Sequence, residues 1–302
     1  MSRSVQVFQV DAFTDQLFSG NPAGVVLGAD VLNDEEMLAI ARELHNADTA
    51  FVLKADSSDH DLRVRFFTPR TESGFVGHAT VATHFVLSRN GAATGRKRQR
   101  QKAGLVEVEI RGDGAGRRVA IRQAPAPLGR ELNDRERLAV LDALALSSGD
   151  LDARCPLRIC GTGSTRLLIG VRSADQLKNL KPDFARLTTL SAQLGASGHF
   201  VFTMHHGQRD CLTESRMFCP ALGIPEDPVS GNAHGILGAY LAHHGLLVAQ
   251  GERVQFSGAQ GGYLHRPGRV DVELEFESRV ASGVWIVGQA VEVFETTITL
   301  KN

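Results

Sequence analysis

Two long apolar segments dominate the pattern of hydrophobic and polar positions, one in each half of the chain. Residues 78–89 and residues 233 to about 246 are apolar nearly all round a helix, which predicts two buried helices. Runs that alternate between apolar and polar residues predict strands around them. Two such runs, 105–111 and 117–123, are joined by a glycine-rich segment that is typical of a hairpin. The pattern as a whole predicts an α+β protein.

A short strand-like motif precedes each of these helices. Residues 65–69 read R-F-F-T-P and residues 216–220 read R-M-F-C-P, and each copy is followed by a glycine, Gly77 or Gly231, that begins the helix. The two copies lie half the chain apart, which predicts two related halves that arose by duplication. A helix N-terminus carries unsatisfied N–H groups and a positive dipole, so two such ends at one site would suit a carboxylate or a phosphate.

The same pattern suggests where the halves divide. Pro125-Ala126-Pro127 reads as a linker, so we expect a first domain at residues 1–125 and a second at 126–289. We expect the final strand, near 290–302, to return to the first domain.

Composition narrows the possible functions. The formal net charge of −1 gives no overall attraction to nucleic acid or to an acidic membrane, and no apolar run approaches the roughly 18 residues that a membrane span needs. Four cysteines without paired spacing are typical of a reduced compartment. These features predict a soluble, cytoplasmic protein without nucleic-acid or membrane partners.

The basic run at residues 96–102 has two interpretations. It could be an arm that binds nucleic acid, or a solvated loop. Because no aromatic residue interrupts the run, as stacking on bases would require, we expect a solvated loop.

Four polar residues lie where the repeat should bring elements together: Asp48 before a strand, His78 at the first helix start, and Asp227 and Asn232 at the second. A carboxylate and a histidine in a dry cleft can move protons on and off carbon. In isolation, the residues favour a structural interpretation, in which Asp227 caps a helix or shapes a turn and His78 is a satisfied helix cap. The repeat favours the functional interpretation, because it puts both helix starts in corresponding places.

A metal site is not expected. The histidine pairs 205–206 and 243–244 are adjacent in sequence, and adjacent side chains do not share one face of a helix or a strand.

Five motifs, which cover essentially the whole chain, carry a resemblance to a known family. They are G-N-P-A at 20–23, D-T-A-F-V at 48–52, F-T-P at 67–69, G-H-A-T at 77–80 and E-D-P-V-S-G-N-A at 226–233. Together they resemble the PhzF family of phenazine-biosynthesis isomerases, and Gly231-Asn232-Ala233 is most similar to its YddE-like branch.

The resemblance implies a diaminopimelate epimerase-like fold. Such a fold has two similar domains, each a barrel-like, mostly antiparallel sheet around a central buried helix, with the active site in the cleft between them and commonly a homodimer. It also implies catalytic roles for Asp48, at the position of the family's proton-shuttling glutamate, and for His78 and Asp227. The substrate-binding residues that we expect are Asn21, Gly77, Ser230, Gly231 and Asn232, the last at the position of a family serine.

The function that follows is a cofactor-independent isomerase, which moves a proton between carbons of a small amino or cyclic carboxylic acid. Asp48 is one methylene shorter than the family glutamate, so a catalytically inactive homologue that binds a small molecule is the alternative. Racemases of this fold place a cysteine before each helix-start glycine. Those positions are Val76 and Ser230 here, so the sequence does not favour a two-thiol mechanism.

Overall fold

A computed structural model describes residues 3–205, 210–247, 251–277 and 280–300. The chain forms two compact units. The first comprises Met1–Gln123 and Val287–Asn302, and the second comprises Ala124–Ile286. The boundaries predicted from the sequence lie at residues 125 and 289.

The predicted α+β class is confirmed by the elements. The helices are α1 (Asp34–Leu44), α2 (Gly77–Arg89), α3 (Asp134–Ala143), α4 (Ala174–Lys178), α5 (Phe184–Leu194) and α6 (Gly231–His243). The strands are β1 (Arg3–Ala12), β2 (Asn21–Leu27), β3 (Thr49–Lys54), β4 (Leu62–Phe67), β5 (Glu72–Ser73), β6 (Gly95–Gln101), β7 (Gly104–Arg111), β8 (Arg118–Gln123), β9 (Leu128–Glu131), β10 (Arg158–Cys160), β11 (Arg166–Gly170), β12 (Gly198–Thr203), β13 (Thr213–Cys219), β14 (Ile224–Asp227), β15 (Arg253–Gln260), β16 (Gly268–Glu277), β17 (Val280–Gly288) and β18 (Ala290–Leu300).

In the first unit, the described strands lie in the order β18-β1-β2-β3-β4-β6-β7-β8. The pairs β2–β3 and β4–β6 are parallel and the other neighbours are antiparallel. The short strand β5 pairs with the end of β4. The last strand, β18, runs beside β1 over almost its whole length.

The second unit repeats this arrangement of parallel and antiparallel neighbours. Its strands lie in the order β9-β10-β11-β12-β13-β15-β16, and the parallel pairs are β11–β12 and β13–β15. The short strand β14 pairs with the end of β13, as β5 does with β4. The duplication in the sequence is therefore a duplication of strand topology.

One helix of each unit is buried, as the apolar pattern predicts. Nine of the 13 residues of α2 and ten of the 13 residues of α6 are buried. In the first unit, a smaller helix covers the other face of the sheet. Met37 and Ile40 of α1 pack there against Val26, Phe51 and Phe67. Since successive strand residues point to opposite faces, the alternate positions of β2 and β3 face α2.

A charged pair fixes the motif that precedes α2. The Arg65 guanidinium lies 2.8 Å from a Glu72 carboxylate oxygen, which ties β4 to β5. It also lies 5.1 Å from the ring centroid of Phe67, and Asp34 of α1 approaches it to 2.6 Å. The arginine that recurs in both copies of the motif therefore has a structural role here, because it ties the short strand that leads to the helix to the end of β4.

The second copy has the same pair in a more buried setting. Arg216 donates two hydrogen bonds to the Glu226 carboxylate, at 2.9 and 2.8 Å, and lies 5.0 Å from the ring centroid of Phe218. The Arg216 and Glu226 side chains are only 12% and 10% exposed.

The expectation of a solvated loop at residues 96–102 is wrong over most of its length, because residues 95–101 form β6. The strand forms because its backbone pairs with β7, where glutamates face the cations. Arg96 lies 3.0 Å from Glu107 and 3.8 Å from Glu109. Cross-strand charge pairs let a basic run adopt a strand while its side chains stay in solvent.

The two copies of the ion pair should differ in their contribution to stability. We expect Glu226→Gln to lower the free energy of unfolding by about 3 kcal/mol, because it leaves the largely buried Arg216 without its charged partner. Urea denaturation measures this change.

Glu72→Gln is the matched variant in the first unit. It should lower the free energy of unfolding by about 1 kcal/mol, because Arg65 is more exposed than Arg216 and retains its ion pair with Asp34. Equal losses for the two variants would show that burial does not set the energy of this pair.

Candidate active site

The start of α2 presents backbone donors in the first unit. The first N–H that closes the helix is that of Thr80, which donates to the Val76 carbonyl at 3.0 Å. The N–H groups of Gly77, His78 and Ala79 come before this bond, and Val76 has no polar side chain to cap them. Three donors and the positive end of the helix dipole therefore lie together, which is an arrangement that attracts an anion.

Asp48 lies one residue before β3 and is only 8% exposed. Because Thr49 pairs with Phe67 on the α1 face, the side chain of Asp48 belongs to the opposite face, which α2 covers. The Ser73 hydroxyl donates to its carboxylate at 3.2 Å. Ser73 lies four residues before Gly77, so this contact connects the carboxylate to the segment that enters α2.

His78 occupies the second position of α2. Its side chain is partly exposed, but its Nε2 atom is buried and has no hydrogen-bond partner among the described residues. Burial lowers the pKa of His78 to about 4. The imidazole is therefore neutral near pH 7, where it can donate or accept a hydrogen bond without adding a charge.

Asn21 is the first residue of β2 and is 1% exposed. It lies two residues before Ala23, on the same face of the strand, so it shares the α2 side of the sheet with Asp48. The structure thus brings Asn21, Asp48, Gly77 and His78 to one side of the first unit.

The start of α6 repeats the arrangement in the second unit. The His234 N–H donates to the Ser230 carbonyl at 3.3 Å, so the N–H groups of Gly231, Asn232 and Ala233 come before the first intrahelical bond. The Ser230 hydroxyl forms no cap in the described structure. Ser230 and Gly231 are buried, and Asn232 is partly exposed.

Asp227 ends β14, four residues before Gly231, and is partly exposed. Its position corresponds to that of Ser73, because each residue follows the glutamate of the duplicated ion pair and precedes the helix glycine by four residues. The Asp227 carbonyl accepts a hydrogen bond from another strand at 2.7 Å.

That donor is Gln260, which the sequence analysis missed. The Gln260 amide donates to the Asp227 carbonyl, and its side-chain oxygen accepts from the Ser230 N–H at 3.0 Å. Gln260 is 2% exposed. It therefore holds both ends of the segment from Asp227 to Ser230. An isolated glutamine in an alternating strand carries no local signal for such a role.

Arg166, the first residue of β11, was also missed. It is 7% exposed and lies on the α6 side of the sheet. A signal for it exists in the sequence, because a charged residue that opens the apolar run R-L-L-I-G is unusual for a fully covered strand.

The cysteines do not stand at the helix starts. Cys155, Cys160 and Cys219 are buried, and burial raises the pKa of Cys160 to about 11 and the pKa of Cys219 to about 12. These thiols stay protonated near neutral pH.

Within the described residues, no group of three or more histidine, cysteine or acidic side chains is placed to hold a metal ion. His206, one member of a histidine pair considered above, lies outside the described residues. In the part of the chain that the structure describes, none of the helices combines the length and the apolar character that a membrane span requires.

Comparisons with known proteins agree with the motifs. A family model for phenazine biosynthesis-like proteins, PhzC-PhzF, matches residues 10–296. The chain is similar to an uncharacterised isomerase of Clostridium acetobutylicum, with 36% identity over 302 residues and coverage of 100% of both chains. It is also similar to the uncharacterised isomerase YddE of Salmonella typhimurium, with 40% identity over 290 residues and coverage of 96% of each chain.

Solved structures show the same relationship. A PhzF-family phenazine biosynthesis protein of Bacillus anthracis matches with a TM-score of 0.88 and 29% identity, covering 98% of this chain and 99% of that one. A hydroxyproline epimerase of Agrobacterium vitis matches with a TM-score of 0.63 and 14% identity, covering 99% of this chain and 94% of that one. The second likeness concerns the fold alone, and it confirms the epimerase-like architecture predicted from the motifs.

Both curated relatives are named isomerases, which confirms the enzyme class predicted from the sequence. The five motifs, the duplicated topology and the family match over nearly the whole chain lead to one conclusion. The chain belongs to the PhzC-PhzF family of phenazine biosynthesis-like proteins.

Proposed function

We propose that the protein is a cofactor-independent isomerase that moves a proton between two carbons of a small amino or cyclic carboxylic acid. The observation that carries this proposal is the placement of Asp48. It is a buried carboxylate on the face that α2 covers, and it contacts the segment that leads to the start of α2.

In this proposal Asp48 is both base and acid. Its carboxylate removes a proton from one substrate carbon, and the carboxylic acid that results returns the proton to another carbon. The electron pair of the broken C–H bond shifts within the substrate, so no oxidant or reductant is needed. General acid–base catalysis of this kind typically accelerates a reaction by about 10²–10⁴-fold.

The helix starts would bind the substrate. N–H groups at Gly77 and His78 are suited to a carboxylate, and the neutral His78 ring can hydrogen-bond without placing a second charge beside Asp48. Asn21 supplies an amide on the same side of the sheet. Together these groups would hold the acid while its C–H bond faces the base.

Asp227, Ser230, Gly231 and Asn232 would orient the substrate from the second unit. That both helix starts serve one substrate stays a prediction from the duplicated sequence. Variants in the two units test it, because Asp48 and Asp227 should both be needed for turnover of the same acid.

The alternative is a homologue that binds a small molecule without turning it over. The observation that favours it is the aspartate at a position where the resemblance implies a glutamate, since one methylene displaces a carboxylate by about 1 Å and rates are sensitive to such a displacement.

Proton exchange should depend on Asp48. We expect the wild-type chain in D₂O to exchange a C–H proton of at least one acid in a panel of small amino and cyclic carboxylates that includes dihydro-hydroxyanthranilate. Asp48→Asn keeps the size of the side chain and removes the base, so the rate should fall by about 10²–10⁴-fold. Proton NMR follows the loss of the signal.

Asp134→Asn is the matched control, because Asp134 is an exposed carboxylate at the start of α3. It should leave exchange unchanged. Silence across the panel, with a ligand that still raises the melting temperature, would favour the binding protein. Exchange that survives Asp48→Asn would remove Asp48 from the mechanism.

His78 should stay neutral through the working pH range. Because its pKa in the folded protein lies near 4, below the ordinary value near 6.5, the exchange rate should show no His78 titration between pH 6 and 8. The unfolded chain takes up the proton first as the pH falls. The stability that the neutral ring contributes is therefore complete above about 6.5 and is lost as the pH falls through about 4.

Histidine NMR titration measures the midpoint, and the spectrum of His78→Gln identifies its signal among the other buried histidines. A midpoint between 6 and 7 would contradict the neutral role that we assign to this ring.

Gln260 should act through Asp227 as a positioning residue. Gln260→Met removes both hydrogen bonds, so we expect exchange to slow by about tenfold or more through misplacement of the segment 227–230. If Gln260 works only by placing Asp227, the effects of Gln260→Met and Asp227→Asn on the rate should be non-additive in a double-mutant cycle.

Gln255→Met is the matched control on the same strand, because Gln255 is exposed. It should change neither rate nor stability. Additive effects of Gln260→Met and Asp227→Asn would assign Gln260 a purely structural role.

A further inference from the structure

Arg166 is a buried cation for which the described residues provide no counter-ion. Its side chain donates one hydrogen bond, from an Nη atom to the neighbouring Thr165 carbonyl at 3.0 Å, and its Nε is buried with no partner among the described residues. Within those residues, no carboxylate lies within ion-pair distance of its guanidinium. An arginine offers five N–H donors and stays charged at any ordinary pH.

Such a residue is costly to keep. Burial of an unpaired charge is unfavourable, and replacement by an apolar residue of similar size is often neutral or stabilising. This unfavourable free energy of burial suggests that the guanidinium binds a partner outside the described chain.

The strand register places Arg166 at the end of the sheet where α6 begins. Arg166 pairs with Gly198, the first residue of β12. Further along β12, two aromatic residues pack edge-on against rings of α6. The ring centroids of Phe200 and His234 are 5.2 Å apart, and those of Phe202 and Tyr240 are 6.0 Å apart. The helix therefore runs in the same direction as β12. Gly198, at the start of β12, lies beside the first turn of α6.

Gly198, the strand neighbour of Arg166, packs tightly against β13. A Cβ atom at this position would lie 2.5 Å from Met217 Cε and 2.8 Å from Cys219 Sγ, so no larger residue fits without movement of its neighbours. Met217 in turn pairs with Asp227. Arg166, Cys219 and Asp227 thus share one face and one end of the sheet.

The charges around the Cys219 thiol agree with this placement. Burial raises its pKa to about 12, while Arg166 acts to lower it and Asp227 acts to raise it further. Both charged groups therefore lie close enough to influence the same buried atom, although Arg166 forms no ion pair with Asp227.

The first unit shows that the fold does not need this arginine. Thr49 in the first unit and His199 in the second occupy equivalent positions. Thr49 pairs with Phe67, and His199 pairs with Phe218, which is the corresponding phenylalanine of the duplicated motif. Gly24 pairs with Thr49 and Leu167 pairs with His199. The position before Leu167 is Arg166, and its counterpart before Gly24 is Ala23, which is fully buried.

We propose that Arg166 binds the substrate's carboxylate at the start of α6, together with the N–H groups of Gly231 and Asn232. This inference rests on the proposed function and narrows its substrate class. The substrate is an acid that must be ionised to bind, and its primary amide is rejected. A planar guanidinium matches a carboxylate with two parallel hydrogen bonds, which a helix start alone does not provide.

The test compares acids with their amides. Calorimetry and thermal shift are run with proline and prolinamide, pyrrole-2-carboxylate and its amide, and anthranilate and anthranilamide. We expect wild type to bind at least one acid and to prefer it over its amide. Arg166→Met should weaken binding of that acid by about 10- to 100-fold and abolish the preference for the acid, while the melting temperature stays at or above that of wild type.

Two further variants keep the test decisive. Arg158→Met, on the neighbouring strand β10, removes a guanidinium that is already paired with Glu131, and it should leave acid binding unchanged. If Arg166→Met does not fold, Arg166→Lys replaces it. Lysine keeps the charge and loses the two-pronged geometry, so binding should weaken by about tenfold with the acid still preferred.

The inference is overturned if no acid of the panel binds to wild type, or if the folded variant at position 166 binds acids as wild type does. Failure of the proposed function looks different. Acid binding that depends on Arg166 without Asp48-dependent exchange would retain the anion site and remove the isomerase activity.

Discussion

The duplicated ion pair between arginine and glutamate is the constraint on which the segments before both buried helices depend. Arg65 with Glu72, and Arg216 with Glu226, tie a two- to four-residue strand to the end of a longer one. The residue after each glutamate, Ser73 or Asp227, is thereby fixed four positions before a buried helix. These helices start without a side-chain cap in the described structure, and three N–H groups at each start precede the first intrahelical hydrogen bond.

The two units use the same frame for different chemistry. In the first, Asp48 supplies a buried carboxylate and Ser73 bonds to it. In the second, the position that corresponds to Asp48 is Gly198, and the neighbouring strand supplies Arg166 instead. The duplicated backbone thus carries a buried carboxylate in one copy and a buried guanidinium in the other.

Much of the fold could be predicted because it depends on local signals. The apolar circumference of α2 and α6, the asparagine that begins α1 with its capping box, and the glycine-rich turn after β7 are all readable from neighbouring residues. The basic run at 96–102 misled the prediction, because its strand is stabilised by Glu107 and Glu109 of the partner strand. Gln260 was missed for a similar reason, since its partners at Asp227 and Ser230 lie about thirty residues away in sequence.

The sequence by itself determined the family, the duplication, the two helix starts and the identity of the titratable groups, since each depends on residue type and spacing. Only the tertiary structure decided the environment of those groups. It buried the Nε2 atom of His78, so that the ring is neutral, and it placed Ser73 on Asp48. It also buried Arg166 where none of the described carboxylates forms an ion pair with it. The burial and the hydrogen-bond partners of a group depend on contacts from strands and helices that are distant in sequence, so no local pattern can specify them.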